Sequence, residues 1–287
     1  MTGTAERRRA RDPRVLASTF VGYAILIFFG LVFLYPFVIQ ISNSLKSESD
    51  AAAHPLSPVP EVLDLAGFHQ LFATQFPVWL GNSILVTVVV TTSRVFLDSL
   101  AGYALARLRF RGRSTVFGAI LAVMAVPGVV LLIPKFLVLN QLGMYNSYAA
   151  LIIPLVADAA GVFIMKQFFT SIPVSVEEAA RIDGAGVFRT FWSVVLPMGR
   201  PALITLTILS FQSSWNEFPH TLVAVQDPSL FTLPRGLADL VSGSLGSGTQ
   251  YPLKLGAALL ATVPVAVIFV VFQRYFVRGA NEGADKG

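Results

Sequence analysis

The chain has 287 residues, of which 54% are hydrophobic and only 13% charged. Soluble domains carry about 25% charged residues, and several apolar runs here reach the roughly 20 residues that cross the hydrocarbon of a bilayer, which excludes an ordinary soluble domain. The formal net charge of +5 comes from basic residues at the ends of apolar runs, so it marks membrane orientation and not nucleic-acid binding; the lack of cysteine excludes disulfides, Cys-ligated zinc and thiol catalysis.

Residues 1–14 form a basic tail containing Arg7, Arg8, Arg9 and Arg11. The apolar run 15–41 that follows contains Pro36 and is too long for the 7–15-residue core of a cleaved signal. It is therefore predicted to be an uncleaved first span. A Pro- and Ala-containing outer loop, 47–77, leads to a second span at 80–105. The third, 116–138, is expected to break at Pro127 and Pro134, and the fourth, 148–169, contains Pro154. A fifth at 202–223 and a sixth at 253–277, with Pro264, are separated by an outer loop at 226–252, and residues 278–287 form a tail. The fold class is thus an all-α polytopic membrane protein with six transmembrane helices over 15–277. With the N-terminus inside, sixteen of the 21 Lys and Arg fall on inner segments and four (Lys46, Lys135, Arg235, Lys254) on outer ones, with Arg94 inside a span. That bias places both termini in the cytoplasm.

The inner loop 170–200 is the most unusual segment. Ser175 and Glu178 have capping-box spacing, which predicts a helix starting there. Ala179 and Ala180 favour helix, and Gly184 and Gly186 end it and turn the chain. A second stretch carries Phe188, Phe191 and Trp192, and Pro197 closes it. Such a helix, held against the membrane face, forms a rigid knob for a partner. The arginines at 107, 109, 111 and 113 read as an orientation signal that meets anionic headgroups.

Glu178-Ala179-Ala180, three residues, Gly184, nine residues, Val194, one residue and Leu196-Pro197 resemble the cytoplasmic EAA motif of bacterial ABC-importer permeases. Asp183-Gly184-Ala185 narrows the likeness to carbohydrate-type permeases, and the tail ending at Gly287 resembles that of the maltose-type second permease subunit. Residues 101–113 and the triplet Trp215-Asn216-Glu217 are also similar to family segments. Val194 stands in place of the usual Ile and Arg111 in place of the usual Pro, and the tail motif is poorly kept over 281–285.

The resemblance implies a type I importer permease in the bacterial cytoplasmic membrane. It would pair with a second permease as a heterodimer, above an ATPase homodimer and below an extracytoplasmic solute-binding protein. Glu178, Ala179, Ala180, Asp183, Gly184, Leu196 and Pro197 would be the coupling positions. ATP and Mg would sit on the ATPase, since this chain has no GxxxxGK[ST] loop and holds no cofactor. The cargo implied is an oligosaccharide or a related polyol or sugar phosphate.

Several residues admit two readings. Arg94 and Asp98, four apart in the second span, are expected to pair, either as a gate or as a seal between helices. Asp158, the lone acid of the fourth span, would line a substrate path among small residues. Trp215, Asn216 and Glu217 form an aromatic belt or a sugar-binding rim. The stretch with Ser242, Gly243, Gly246 and Gly248 is a flexible loop or a contact for the binding protein. His54, His69 and His220 lack metal-ligand spacing, so no metal site is expected. An ion-coupled secondary transporter is the rival function, but it would bury more acids and show repeated halves. A membrane enzyme would need a cluster of catalytic groups.

Overall fold

The computed structural model describes residues 13–242 and 250–284, with side chains over 18–242 and 250–273. The described residues are helical, without strands, and divide into two compact units: residues 13–71 with 250–259, and residues 72–242 with 260–284. Arg7, Arg8, Arg9 and Arg11 of the basic tail, the residues of the outer-loop glycine stretch from Gly243 to Thr249 and tail residues 285–287 lie outside this range.

The first unit is built on α1 (Pro13–Ser44). Its apolar residues point outward all round; Phe20, for example, is 76% exposed. A helix apolar on every side is covered by lipid or by other helices. Where α1 ends, Lys46 is almost fully buried. Its ammonium donates to Asn43 Oδ1 at 3.2 Å, His54 O at 2.8 Å and Ser57 O at 2.9 Å, tying down the segment after α1. That segment is not the plain loop expected over 47–77: it contains short helices at Glu48–Ala53 and Ala66–Ala73.

The second unit is organised around α2 (Phe76–Arg107), which packs on α5 (Ala159–Ser171) and α7 (Arg200–Trp215). Pro77 sits in its first turn, where no N–H is required of it. At the α2–α5 crossing a Cβ on Gly102 would lie 2.7 Å from Met165 Cβ, so only glycine allows this approach. Below the crossing Tyr103, Met165, Phe169, Phe191, Val195 and Leu206 form an apolar core. At the other end of α2, Trp79 is fully buried and donates to Pro228 O at 3.1 Å. Asn82 donates to Ser229 O and Phe231 O, and the Tyr148 hydroxyl donates to Asn82 Oδ1. The first half of the expected outer loop is therefore ordered. It carries a 3-10 turn at Pro228–Leu230 and the amphipathic helix α9 (Leu233–Ser242) packed on α2.

Two expected breaks differ in detail. The third span divides into α3 (Arg113–Met124) and α4 (Leu132–Gln141), bent by 99° at Pro127. Pro134 does not break it, because it lies in the first turn of α4, whose N–H groups have no intrahelical acceptor. The fifth span ends at Trp215 and not at residue 223: Asn216 is its C-cap, and Pro219 has no N–H to carry the helical ladder on to Trp215 O. The short α8 (Pro219–Ala224) follows. The fourth unwinds after a turn at Tyr148–Ile152 and a 3-10 turn at Ile153–Leu155, before α5 begins. The last helix, α10 (Tyr251–Ala284), includes Pro264. Among the described residues, four helices are long and apolar enough to cross a membrane, and up to six when each bent pair counts as one span.

A Cβ on Gly161 would lie 2.1 Å from Asp98 Oδ2, and one on Gly236 would lie 2.2 Å from the Trp79 ring. Gly161→Ala and Gly236→Ala are each expected to cost about 1–3 kcal/mol through overpacking and to lower the melting temperature in detergent. Gly118→Ala, inside α3 where the space is open, is the control and should hold or slightly raise it, since Ala favours helix over Gly.

Candidate functional site

The loop between α5 and α7 folds as α6 (Val174–Ile182), a short helix at Val187–Thr190, a π-turn at Phe191–Val195 and a last turn at Leu196–Met198, then bends by 80° into α7. The expected capping box does not form. Pro173 is the N-cap and no side chain caps the helix, so Ser175 and Glu178 both lie within it. The end is as expected. Asp183 is the C-cap, and Gly184 has φ of +80°, which an L side chain resists. The Ala185 N–H donates to Ala180 O at 2.9 Å and the Gly184 N–H to Arg181 O at 3.0 Å, completing a Schellman turn. Space around Gly184 is open, so backbone conformation and not crowding calls for glycine. Pro197 does not close the segment. It lacks the N–H for Ser193 O, beside the π-turn, and the bend falls two residues later at Gly199.

The motif residues divide between two faces. Glu178, Ala179, Asp183, Gly184 and Pro197 are exposed, whereas Ala180 is buried and Leu196 packs on the apolar core. The exposed side of the loop also carries Ile182, 87% exposed, and Phe188, 80% exposed, whereas Trp192 lines a cleft with Phe96 of α2 and Leu203 and Thr207 of α7. Large apolar side chains at this exposure, with Glu178, Arg181, Asp183 and Arg189 also on the loop, are the pattern that marks interaction sites in general.

The inner face holds a residue that sequence reasoning passed over. Glu177, not Glu178, is the buried carboxylate, with its side chain 4% exposed. Its Oε1 lies 3.0 Å from Arg107 Nε, off the hydrogen-bond axis, and Arg181 Nη2 is 4.0 Å from Oε2. Arg107 also donates through Nη2 to Ile172 O. The available signal was spacing: Glu177 and Ala180 lie three apart and so share the inward face. Arg107 and Arg113 are not simply orientation signals, since Arg113 donates to Ala106 O at 3.1 Å. Arg109 and Arg111 remain exposed. Around the pair lies a polar recess of about 540 Å³ lined by Arg107, Arg109, Arg113, Glu177, Glu178 and Arg181.

Arg94 and Asp98 share a face of α2 but do not pair with each other. Arg94 Nε donates to Leu155 O at 2.7 Å and Nη1 to Ser213 Oγ at 3.3 Å. Asp98 Oδ1 accepts from the Asp158 N–H at 3.0 Å. Both charges are taken up by backbone that the unwound fourth span leaves without helical partners, which outcompetes an i,i+4 contact. Asp158 itself is half-buried and caps α5, accepting from the Gly161 N–H at 3.1 Å.

Trp215 is neither a belt nor a sugar platform. It is buried, its ring stacks on Phe211 at 5.8 Å, and its Nε1 donates to Ala261 O at 3.1 Å, on α10. Asn216 is the C-cap of α7 and donates to Gln212 O, while Glu217 Oε1 accepts from the His220 N–H at 2.9 Å. Ser242 donates to Asp239 O, and Gly243, Gly246 and Gly248 lie outside the described residues. Against expectation, the fold brings one histidine to carboxylates: ligand atoms of Asp50, His54 and Glu61 lie within 4.8 Å of one another. Glu61 is 70% exposed and its N–H donates to Asp50 Oδ2 at 3.0 Å, so the triad holds the segment after α1.

Residues 98–281 match the family described as the binding-protein-dependent transport system inner membrane component. The chain is 31% identical over 284 residues to the arabinooligosaccharides transport system permease protein AraQ of Halalkalibacterium halodurans, covering 98% of this chain and 100% of that one. It is 34% identical over 271 residues to the sulfoquinovosyl glycerol transport system permease protein SmoH of Agrobacterium fabrum, covering 93% of each. It is 30% identical over 264 residues to the sn-glycerol-3-phosphate transport system permease protein UgpE of Yersinia pestis, covering 90% of this chain and 94% of that one. A crystal structure of a bacterial ABC transporter that imports the acidic polysaccharide alginate contains a chain of the same fold. The TM-score is 0.78 at 28% identity, over 92% of this chain and 98% of that one. These likenesses identify an ABC-importer permease of type I fold and not an ion-coupled transporter, a multi-pass inner-membrane transport subunit and not an enzyme. The chain belongs to the family of binding-protein-dependent transport system inner membrane components.

Proposed function

We propose that this subunit imports a sugar or sugar derivative by alternating access, driven by ATP hydrolysis on a partner through the exposed face of α6 and the helix after it. The observation that carries the reading is that side of the loop: Glu178, Ala179, Asp183 and Gly184 are exposed along with Ile182 and Phe188, over a buried underside. A short helix with its termini fixed, small residues for close approach and apolar anchors suits a groove on a second protein. The positive-inside bias supports six spans with both termini in the cytoplasm, on the same side as this face.

The partners follow the same reading. A second permease completes the translocation path, an ATPase homodimer holds ATP and Mg, and a solute-binding protein delivers cargo from outside. A related alginate transporter, 15% identical and similar in fold with a TM-score of 0.63, is described as a complex with a periplasmic protein bound to an alginate pentasaccharide. The relatives' cargoes are oligosaccharides, a sulfosugar glycerol and a glycerol phosphate. A polyhydroxylated substrate is the chemistry they share. Asp158 caps α5 where the fourth span unwinds, and a half-buried carboxylate there can accept from two hydroxyls at once.

In proteoliposomes holding the complete transporter, Glu178→Arg and Gly184→Asp are each expected to lower ATP-dependent uptake at least tenfold while the subunit still inserts. Normal coupled uptake in both would remove the loop from the drive. Asp158→Asn retains a good N-cap and removes only the charge, so a changed uptake rate or sugar preference would reflect the path and not the fold. Unchanged transport would exclude Asp158 from the path.

A further inference from the structure

We infer that Arg107 and Glu177 form a clasp that makes α6 and the end of α2 move as one body, and that α2 then carries the motion to the broken fourth span. The inference rests on the coupling role proposed for the α6 face. It adds a load path and two positioning residues that do not touch the ATPase or the cargo.

One guanidinium joins three elements. Arg107 is the last residue of α2, meets Glu177 of α6 at 3.0 Å and donates to Ile172 O at the end of α5. The side chains of Arg107 and Glu177 are 9% and 4% exposed. Charges this dry do not separate freely, because moving α6 away from α2 would strip the Arg107 guanidinium of its carboxylate and leave Glu177 only the longer 4.0 Å contact with Arg181 on its own helix. Tyr103, one turn before Arg107, lies beside Glu177 and packs on Phe169 and Phe191, with ring centroids 6.0 and 5.0 Å away. The underside of the loop is thereby fixed to α2 by charge and by packing, while its outer face stays free for a partner.

From Arg107 the helix runs back to Asp98 and Arg94 with no proline in between, a length of roughly 20 Å for thirteen residues. Those two side chains grip the backbone of the unwound segment at Asp158 and Leu155. A displacement of α6 is thus delivered by one uninterrupted helix to the point where the fourth span has no helical hydrogen bonds of its own. A regular helix there would resist it; an unwound one can hinge.

The chain has no cysteine, so single introduced thiols report cleanly. The test uses the complete transporter with its ATPase and two reporters. Ile153→Cys, on the 3-10 turn of the fourth span and 55% exposed, reports movement there through its maleimide labelling rate with and without ATP and vanadate. Glu178→Cys reports docking by cross-linking to the ATPase. With neither clasp residue altered, labelling should change at least fivefold. Glu177→Gln and Arg107→Gln should reduce that change below twofold with the cross-link retained, and Arg107→Lys, which keeps the charge, should retain more than half of it. A full response in both glutamine variants, or a response in Arg107→Lys as low as in Arg107→Gln, overturns the clasp and leaves the coupling surface standing. No response with the clasp intact, despite cross-linking, overturns the load path. No cross-link in that protein overturns the coupling surface itself and the clasp with it.

Discussion

An unwound backbone within a membrane-spanning segment must find its hydrogen bonds in protein, because hydrocarbon offers none and each unmet group costs several kcal/mol, on the order of 1–3 or more. The fourth span unwinds between Leu155 and Asp158, and α2 answers with one cation and one anion in matching places. Arg94 gives a donor to the free carbonyl and Asp98 gives an acceptor to the free N–H. The arrangement explains why two charges are tolerated inside an apolar helix. It also explains Gly161, whose missing side chain is the space occupied by the Asp98 carboxylate. The packing of α2 on α5 is arranged around this contact, with Gly102 allowing the close approach nearby.

The same logic recurs at the end of α2. Arg107 and Glu177 bring opposite charges into a dry contact at the root of a loop whose outer surface is apolar and exposed. A docking surface built on a flexible loop would lose affinity to the entropy of ordering it. Here the Schellman turn at Gly184, the aromatic core beneath Phe191 and the buried ion pair settle the loop's shape before any partner arrives. The two aromatic residues of the second stretch accordingly serve different purposes: Phe191 anchors inward and Trp192 lines the cleft beside α2 and α7.

Glycine positions show how differently one residue type can be required. Gly184 is needed for its positive φ with nothing near it, whereas Gly236 has an ordinary backbone but the Trp79 ring against its face. Proline divides likewise. Pro127 bends a span, whereas Pro134 sits where a helix tolerates it. In both cases the residue type signals a constraint and only the surrounding structure names it.

What the sequence determined by itself was whatever depends on composition and short-range pattern. Apolar runs of spanning length, the basic bias of alternate loops, the Gly-terminated loop helix and the absence of a phosphate loop follow from hydropathy, charge and local backbone preference, and they sufficed for fold class and membrane character. The tertiary structure decided everything that rests on a pairing between distant segments. Trp215 looks like a surface aromatic until Ala261 O and Phe211 cover it. Arg94 and Asp98 look like a pair until the fourth span unwinds beside them. Glu177 looks redundant beside Glu178 until Arg107, seventy residues earlier in the chain, selects it as the buried one. Local spacing tells which side chains share a face; the free energy of burying a charge depends on what meets that face, and that is fixed only when the helices pack.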